Sequence, residues 1–315
     1  MATMKTAQLG KKPINWVKCV TILSFLLPSF IGFVVFVLAP MIWSVFLSFT
    51  NYRGGPNYKF IGLENYVNAF SDPNFWSYLW ITAKYMVITV VFQIVLGLAF
   101  AILLQHQFKG CGFFRGVYYL PNILASVAVG IAFMTMFRPV SEAAGAPNGG
   151  IINATLISLG LEPSQFLAGQ ETALGVIIIV SIWQNFGYYM VLFIGSLQNV
   201  NTSLYEAADM DGAGWWKKFT TVTIPGISPI LFYGITIAII RGFQMFDYVY
   251  VMTGGQFGGG PAGSTNVLAF DIYKMFTMSR YGYASAEAVI LMVIILALTV
   301  IQQEGQKKWV VYDVV

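Results

Sequence analysis

Charge is what this chain has least of. Asp, Glu, Lys and Arg make up 10 % of its 315 residues, where a soluble surface needs about 25 %. Hydrophobic residues reach 57 % and mean hydropathy is +0.70, so water is not its main solvent. Histidine and cysteine are nearly missing too. His106, Cys19 and Cys111 are the whole set. Without CxxC spacing they make no dedicated zinc site, and the thiols read as reduced and cytoplasmic-side. His106 reads as an interfacial residue, with no catalytic cluster around it. No G-x-x-x-x-G-K-[ST] loop occurs, since Gly10-Lys11-Lys12 lacks the upstream glycine. That excludes ATP binding by a phosphate loop.

What is present is apolar length. A membrane-crossing helix needs about 20 apolar residues. Six stretches qualify, at about 21–49, 79–105, 116–137, 172–197, 227–252 and 284–303. Pro28 and Pro40 are expected to kink the first. The fold expected is an all-α polytopic membrane protein with six transmembrane helices. A cytoplasmic segment, 1–20, is expected to precede the six-helix transmembrane domain of 21–303, and a cytoplasmic tail, 304–315, to follow it. The first apolar run is longer than the 7–15 residues of a signal core and reads as uncleaved.

The distribution of Lys and Arg sets the expected orientation. Ten fall on one set of segments: Lys5, Lys11, Lys12, Lys18, Lys109, Arg115, Lys217, Lys218, Lys307 and Lys308. Five fall on the other: Arg53, Lys59, Arg138, Lys274 and Arg280. The positive-inside rule then puts both termini and segment 198–226 in the cytoplasm. The net charge of +4 is thereby a matter of topology, not of nucleic-acid binding.

Segment 198–226 is the most informative. Thr202 or Ser203 can cap a short helix, with Glu206 placed as in a capping box. Ala207 and Ala208 keep one face small, and Gly212 and Gly214 break the helix. A second amphipathic turn, Trp215 to Phe219, is expected to stop before Pro225. Glu206, Asp209 and Asp211 lie within six residues. An anionic membrane surface would repel such a knob, so a socket on a protein suits it better.

The run Glu206-Ala207-Ala208, Asp211-Gly212-Ala213 and Ile224-Pro225 resembles the EAA loop of ABC importer permeases. Further stretches carry the resemblance along nearly the whole chain. They include Phe60-Ile61-Gly62-Leu63-Glu64-Asn65-Tyr66, Phe114-Arg115-Gly116-Val117-Tyr118-Tyr119-Leu120-Pro121 and Phe246-Asp247-Tyr248-Val249-Tyr250-Val251-Met252-Thr253-Gly254-Gly255. Together they are similar to the carbohydrate-type permeases. Two departures stand out. The outer turn Thr253–Pro261 is lengthened, and the large outer insertion of some maltose-type members is missing.

The resemblance implies a non-catalytic permease subunit of a sugar importer in a bacterial or archaeal cytoplasmic membrane. It implies a second permease, an ATPase dimer that binds the ATP and Mg, an extracellular or periplasmic solute-binding protein, and membrane lipid around the spans. It implies no cofactor in this chain and no nucleic acid. It assigns ATPase docking to Glu206, Ala207, Ala208, Asp209, Asp211, Gly212 and Ala213.

Polar residues within spans are functional candidates by default. The fourth span offers Trp183, Gln184, Asn185, Tyr188 and Tyr189, aromatics beside amides, a chemistry suited to sugars. The fifth offers Arg241, Gln244 and Asp247, three apart and expected to neighbour one another on one helix. The amides and tyrosines can equally serve as helix–helix glue. Arg241 either pairs with Asp247 or an acid of the second permease, or faces the pathway and binds an anionic group. The substrate expected is a neutral oligosaccharide, with an acidic sugar or polyol phosphate as the alternative. An ion-coupled secondary transporter is the rival of another class, but it needs mid-membrane acids, and only Asp247 and Glu287 are available.

Overall fold

The computed structural model describes residues 16–105, 108–141 and 148–311, with the side chains of 16–20 excluded. His106, Lys5, Lys11, Lys12 and the side chains of Lys18 and Cys19 therefore lie outside the described residues. The described residues are overwhelmingly helical, with one isolated antiparallel bridge, Thr50 to Phe60.

Five helices are long and apolar enough to cross a membrane: Thr21–Leu47, Pro73–Leu104, Ala173–Leu197, Trp215–Phe243 and Tyr281–Gln306. The expected third span is not one helix. Cys111–Ile123 and Ser126–Met136 meet at 94°. Pro121 cannot donate to the preceding turn, and Leu124 and Ala125 are extended, with ψ of 144° and 130°. The expected fifth span breaks as well. Its helix stops at Phe243, and a separate short helix, Asp247–Met252, follows. Gln244 and Asp247 are therefore not neighbours on one helix.

Proline does not always break a span here. Ahead of Pro40 and Pro225 the backbone widens into π-turns, Val34–Leu38 and Phe219–Thr223. Ala39 N–H reaches Val34 O, and Ile224 N–H reaches Phe219 O. The wider turn gives the proline ring room that a regular turn denies it. The expectation that Pro225 ends the surface helix is corrected accordingly. Trp215–Lys218 runs without interruption into the fifth span.

The segments between spans are also structured. Glu64–Ser71, Ile151–Ser158 and Leu268–Thr277 are helices. Asp72 caps the second span by accepting from Asn74 N at 2.9 Å, so that helix starts at Pro73 instead of near 79. Asn153 is buried and staples its loop, accepting from Ser164 N at 2.9 Å.

The fourth span is the centre. Of its most apolar window 61 % is buried, against none for the first span. Ile177, Val180, Tyr189, Met190 and Phe193 are fully enclosed. Glycine sets the approach distances. A Cβ on Gly97 would lie 2.7 Å from Tyr189 Cβ, and one on Gly187 would collide with the backbone carbonyl of Tyr118. Gly187→Ala is expected to destabilise the protein by about 1–3 kcal/mol. Gly195→Ala, on an open face of the same helix, should leave the melting temperature in detergent nearly unchanged.

At the start of the last span Glu287 is fully buried, beside Asp271 of Leu268–Thr277. Burial pushes the Asp271 carboxyl above its usual range, against the opposing influence of hydrogen bonding to Glu287 and of the Lys274 charge. A raised acid pKa means that the native state prefers the proton. The stabilisation is complete below about pH 4, the unfolded carboxylate range, and is lost as pH rises through the raised value. Melting temperature should therefore fall with rising pH more steeply in the wild type than in Asp271→Asn.

Candidate functional site

Two places deserve the chemistry: a surface knob and a cavity. The knob is the helix Thr202–Met210, a glycine turn, and Trp215–Lys218. Asn201 is its N-cap, accepting from Ser203 N at 3.0 Å, so the expected Thr202 or Ser203 cap with its box to Glu206 is corrected. Asn201 holds the extended backbone that a cap needs. At the other end Ala213 N–H reaches Ala208 O at 2.9 Å, and Gly212 N–H reaches Asp209 O at 3.0 Å. This is a Schellman closure, and it requires the left-handed φ of +69° at Gly212.

The knob is held by its inner face. Leu204, Tyr205 and Ala208 pack on the core around Leu197, Val200 and Val222. Lys218 Nζ meets Asp209 Oδ1 at 2.7 Å, tying the two short helices together. Glu206, Ala207, Asp211 and Gly212 are exposed, Ala213 is half-buried, and Met210, Trp215 and Trp216 are exposed apolar neighbours. The face therefore combines acid and bare apolar area, the makeup of a docking surface.

The cavity, of about 290 Å³, opens between the second, fourth and fifth spans and the bent pair. It is lined by Asn185, Tyr189, Arg241, Gln244 and Asp247 among the residues expected from sequence. Trp183 and Tyr188 do not line it. Trp183 packs on Phe133 with ring centroids 5.1 Å apart, and Tyr188 lies under the Arg241 guanidinium at 4.8 Å. Asp247 does not pair with Arg241; the Ser126 hydroxyl donates to its Oδ2.

Sequence reasoning missed one wall. Tyr85, Thr89 and Gln93 of the second span also line the cavity. Their four-residue spacing put them on one helix face, a signal that was available. They meet the fourth span at Ser181. Tyr85 donates to Ser181 Oγ at 2.6 Å, and Gln93 Nε2 to Ser181 O at 3.3 Å.

Gln184, behind the lining, joins the two broken helices. Its Nε2 donates to the Leu124 carbonyl at 2.9 Å, at the 94° bend. Its Oε1 accepts from the Tyr248 hydroxyl, just past the break in the fifth span. Gln184→Leu would leave both groups without that partner, at a cost of about 1–3 kcal/mol. Faster amide exchange is expected at 124–126 and 245–248, with the knob unaffected.

Residues 93–304 match the family described as the binding-protein-dependent transport system inner membrane component. The probable ABC transporter permease protein YurN of Bacillus subtilis is 35 % identical over 286 residues, covering 89 % of this chain and 94 % of its own. The lactose transport system permease protein LacF of Rhizobium radiobacter is 33 % identical, covering 88 % and 91 %. A bacterial ABC transporter involved in the import of the acidic polysaccharide alginate shares the fold, with a TM-score of 0.79 at 22 % identity, over 93 % of this chain and 97 % of the matched one. With a family match over most of its length, and relatives aligned nearly end to end, this chain belongs to the inner membrane components of binding-protein-dependent transport systems.

Proposed function

We propose that the chain is one permease subunit of a sugar importer, driven through the 202–218 knob by separate ATPase subunits. The observation that carries this reading is the continuity of Trp215–Phe243. One rigid helix runs from the exposed knob to the cavity wall at Arg241. A push on the knob is thereby delivered to the cavity without a soft joint. The acids and exposed tryptophans of the knob give the ATPase a charged and apolar footing.

The sugar class rests on relatives. Those named for lactose, arabinooligosaccharide and starch-product transport align over 88 % of this chain. The cavity suits such cargo. Amides of Asn185 and Gln244, which line it, can bond hydroxyls. Both termini lie in the cytoplasm by the excess of Lys and Arg on the inner segments. A second permease closes the open side of the cavity. A solute-binding protein delivers the sugar from outside, as the related alginate transporter is described with a pentasaccharide-bound periplasmic protein. ATP and Mg belong to the ATPase.

Capture of tagged chain from mild detergent tests the reading. Wild type should bring down an ATPase and a second permease. Glu206→Ala should weaken ATPase recovery several-fold, and Gly212→Pro should abolish it while retaining the second permease. Wild-type chain that purifies alone and transports in liposomes without ATP would sink the proposal in favour of an ion-coupled carrier.

A further inference from the structure

Among the described residues no acid pairs with Arg241: the ion pairs there are Lys218 with Asp209 and Lys307 with Glu304. Asp247, the nearest acid in sequence, is committed to Ser126 across the two helix breaks. The Arg241 guanidinium is exposed into the cavity, and its one described engagement is the face of Tyr188, 4.8 Å from the ring centroid.

That engagement matters for what the group can do. The contact with the ring face holds the guanidinium in place yet consumes none of its five N–H donors. A held guanidinium with free donors can grip a planar or tetrahedral oxyanion through two parallel bonds. A bare cation within a span is costly, so a partner is called for. Asn185 and Gln244 line the same cavity; Asn185 already accepts from Asn122 and donates to the Ser181 carbonyl, which leaves it one N–H, beside the Gln244 amide, for hydroxyls flanking such a group. Asp247 also lines the cavity and carries the opposite sign; the Ser126 hydroxyl donates to its Oδ2, which anchors that carboxylate at the helix junction without neutralising it.

Building on the sugar-permease reading, we infer that this cavity reads an anionic saccharide, with Arg241 as the residue that engages its carboxylate or phosphate. Neutral sugars bind there without the fork, and therefore more weakly.

The test uses the whole complex captured on the tagged chain, without binding protein, so that the cavity alone selects. Three probe sets are titrated: uronate trisaccharides, the same trisaccharides with methyl-esterified carboxyls, and hexose phosphates with their parent hexoses. At least one anionic set should bind about 10- to 100-fold more tightly than its neutral counterpart. Preference for the uronate identifies a carboxylate cargo, and preference for the phosphate a phosphorylated one. Arg241→Gln should erase the preference and spare neutral binding. Arg241→Lys, which keeps the charge and loses the fork, should retain part of it. Raising salt should shrink the anionic advantage in wild type alone.

Absence of any Arg241-dependent preference in both anionic sets overturns the inference. So does an Arg241→Gln variant that loses its second permease, which would make an acid of that subunit the partner. In either case an ATPase still recovered with the wild-type chain leaves the permease reading standing. The two failures are therefore told apart by one preparation.

Discussion

A backbone carbonyl left open within a membrane costs several kcal/mol. This fold has two broken spans and must answer for both. One buried amide answers for the first and ties it to the second. Gln184 donates to the carbonyl of Leu124 at the bend and accepts from Tyr248 beyond the other break. Ser126 and Asp247 add a second bond between the same junctions. The cavity lies at these two breaks: Ser126 just past the bend and Gln244, Asp247 and Tyr248 around the other break all line it. Only a central, enclosed helix can present one side chain to both junctions, and the fourth span is that helix.

Proline is used in two opposite ways. Pro121 precedes a break, whereas Pro40 and Pro225 sit inside helices that carry on. The difference lies in what receives the freed carbonyls. At Pro40 and Pro225 a π-turn rebuilds the ladder locally, with Ala39 and Ile224 reaching back five residues. Beyond Pro121 the chain turns away, and Gln184 supplies the missing donor from another helix. The result is a stiff rod from Trp215 to Phe243, about 42 Å long at 1.5 Å per residue, next to a hinge made of short pieces.

Reading the chain without coordinates finds what is local. Apolar length locates the five helices long enough to cross a membrane and the bent pair, though not where the expected third and fifth spans break, and the glycine turn at Gly212 has its left-handed residue where the sequence places it. The breaks are beyond such a reading. Pro121 and Pro225 look alike as letters, and the donor that decides the first sits 60 residues away at Gln184. The bond between Ser126 and Asp247 spans 121 positions, so Arg241 and Asp247 look like a natural pair until the fold separates them. The capping residue is a nearer miss. Asn201, Thr202 and Ser203 are all good caps, and the chain enters the helix two residues earlier than the Ser203–Glu206 box pattern suggests. The polar face of the second span is different in kind. Tyr85, Thr89 and Gln93 are legible at four-residue spacing, but nothing local tells that face from structural glue until Ser181 and the cavity are seen on it.

The packing also says where such a structure can yield. Between the second and fourth spans the approach is backbone to backbone: Gly97 faces Tyr189 Cβ and Met190 N within 3.1 Å of where its own Cβ would be. A contact of that kind cannot slide, because close-packed main chains have no alternative arrangement nearby. The fifth span meets the second through Gly242 against the side chain of Met86. Methionine is unbranched and repacks at little cost. If the knob is pushed as proposed, Met86 and the Gln244–Phe246 break are where the rod would give before the paired second and fourth spans do. Arg241 lies on the rod and Asn185 on the fourth span, so such a push would change their separation, and a ligand contacting both would bind the two positions with different affinity, which is what coupling requires.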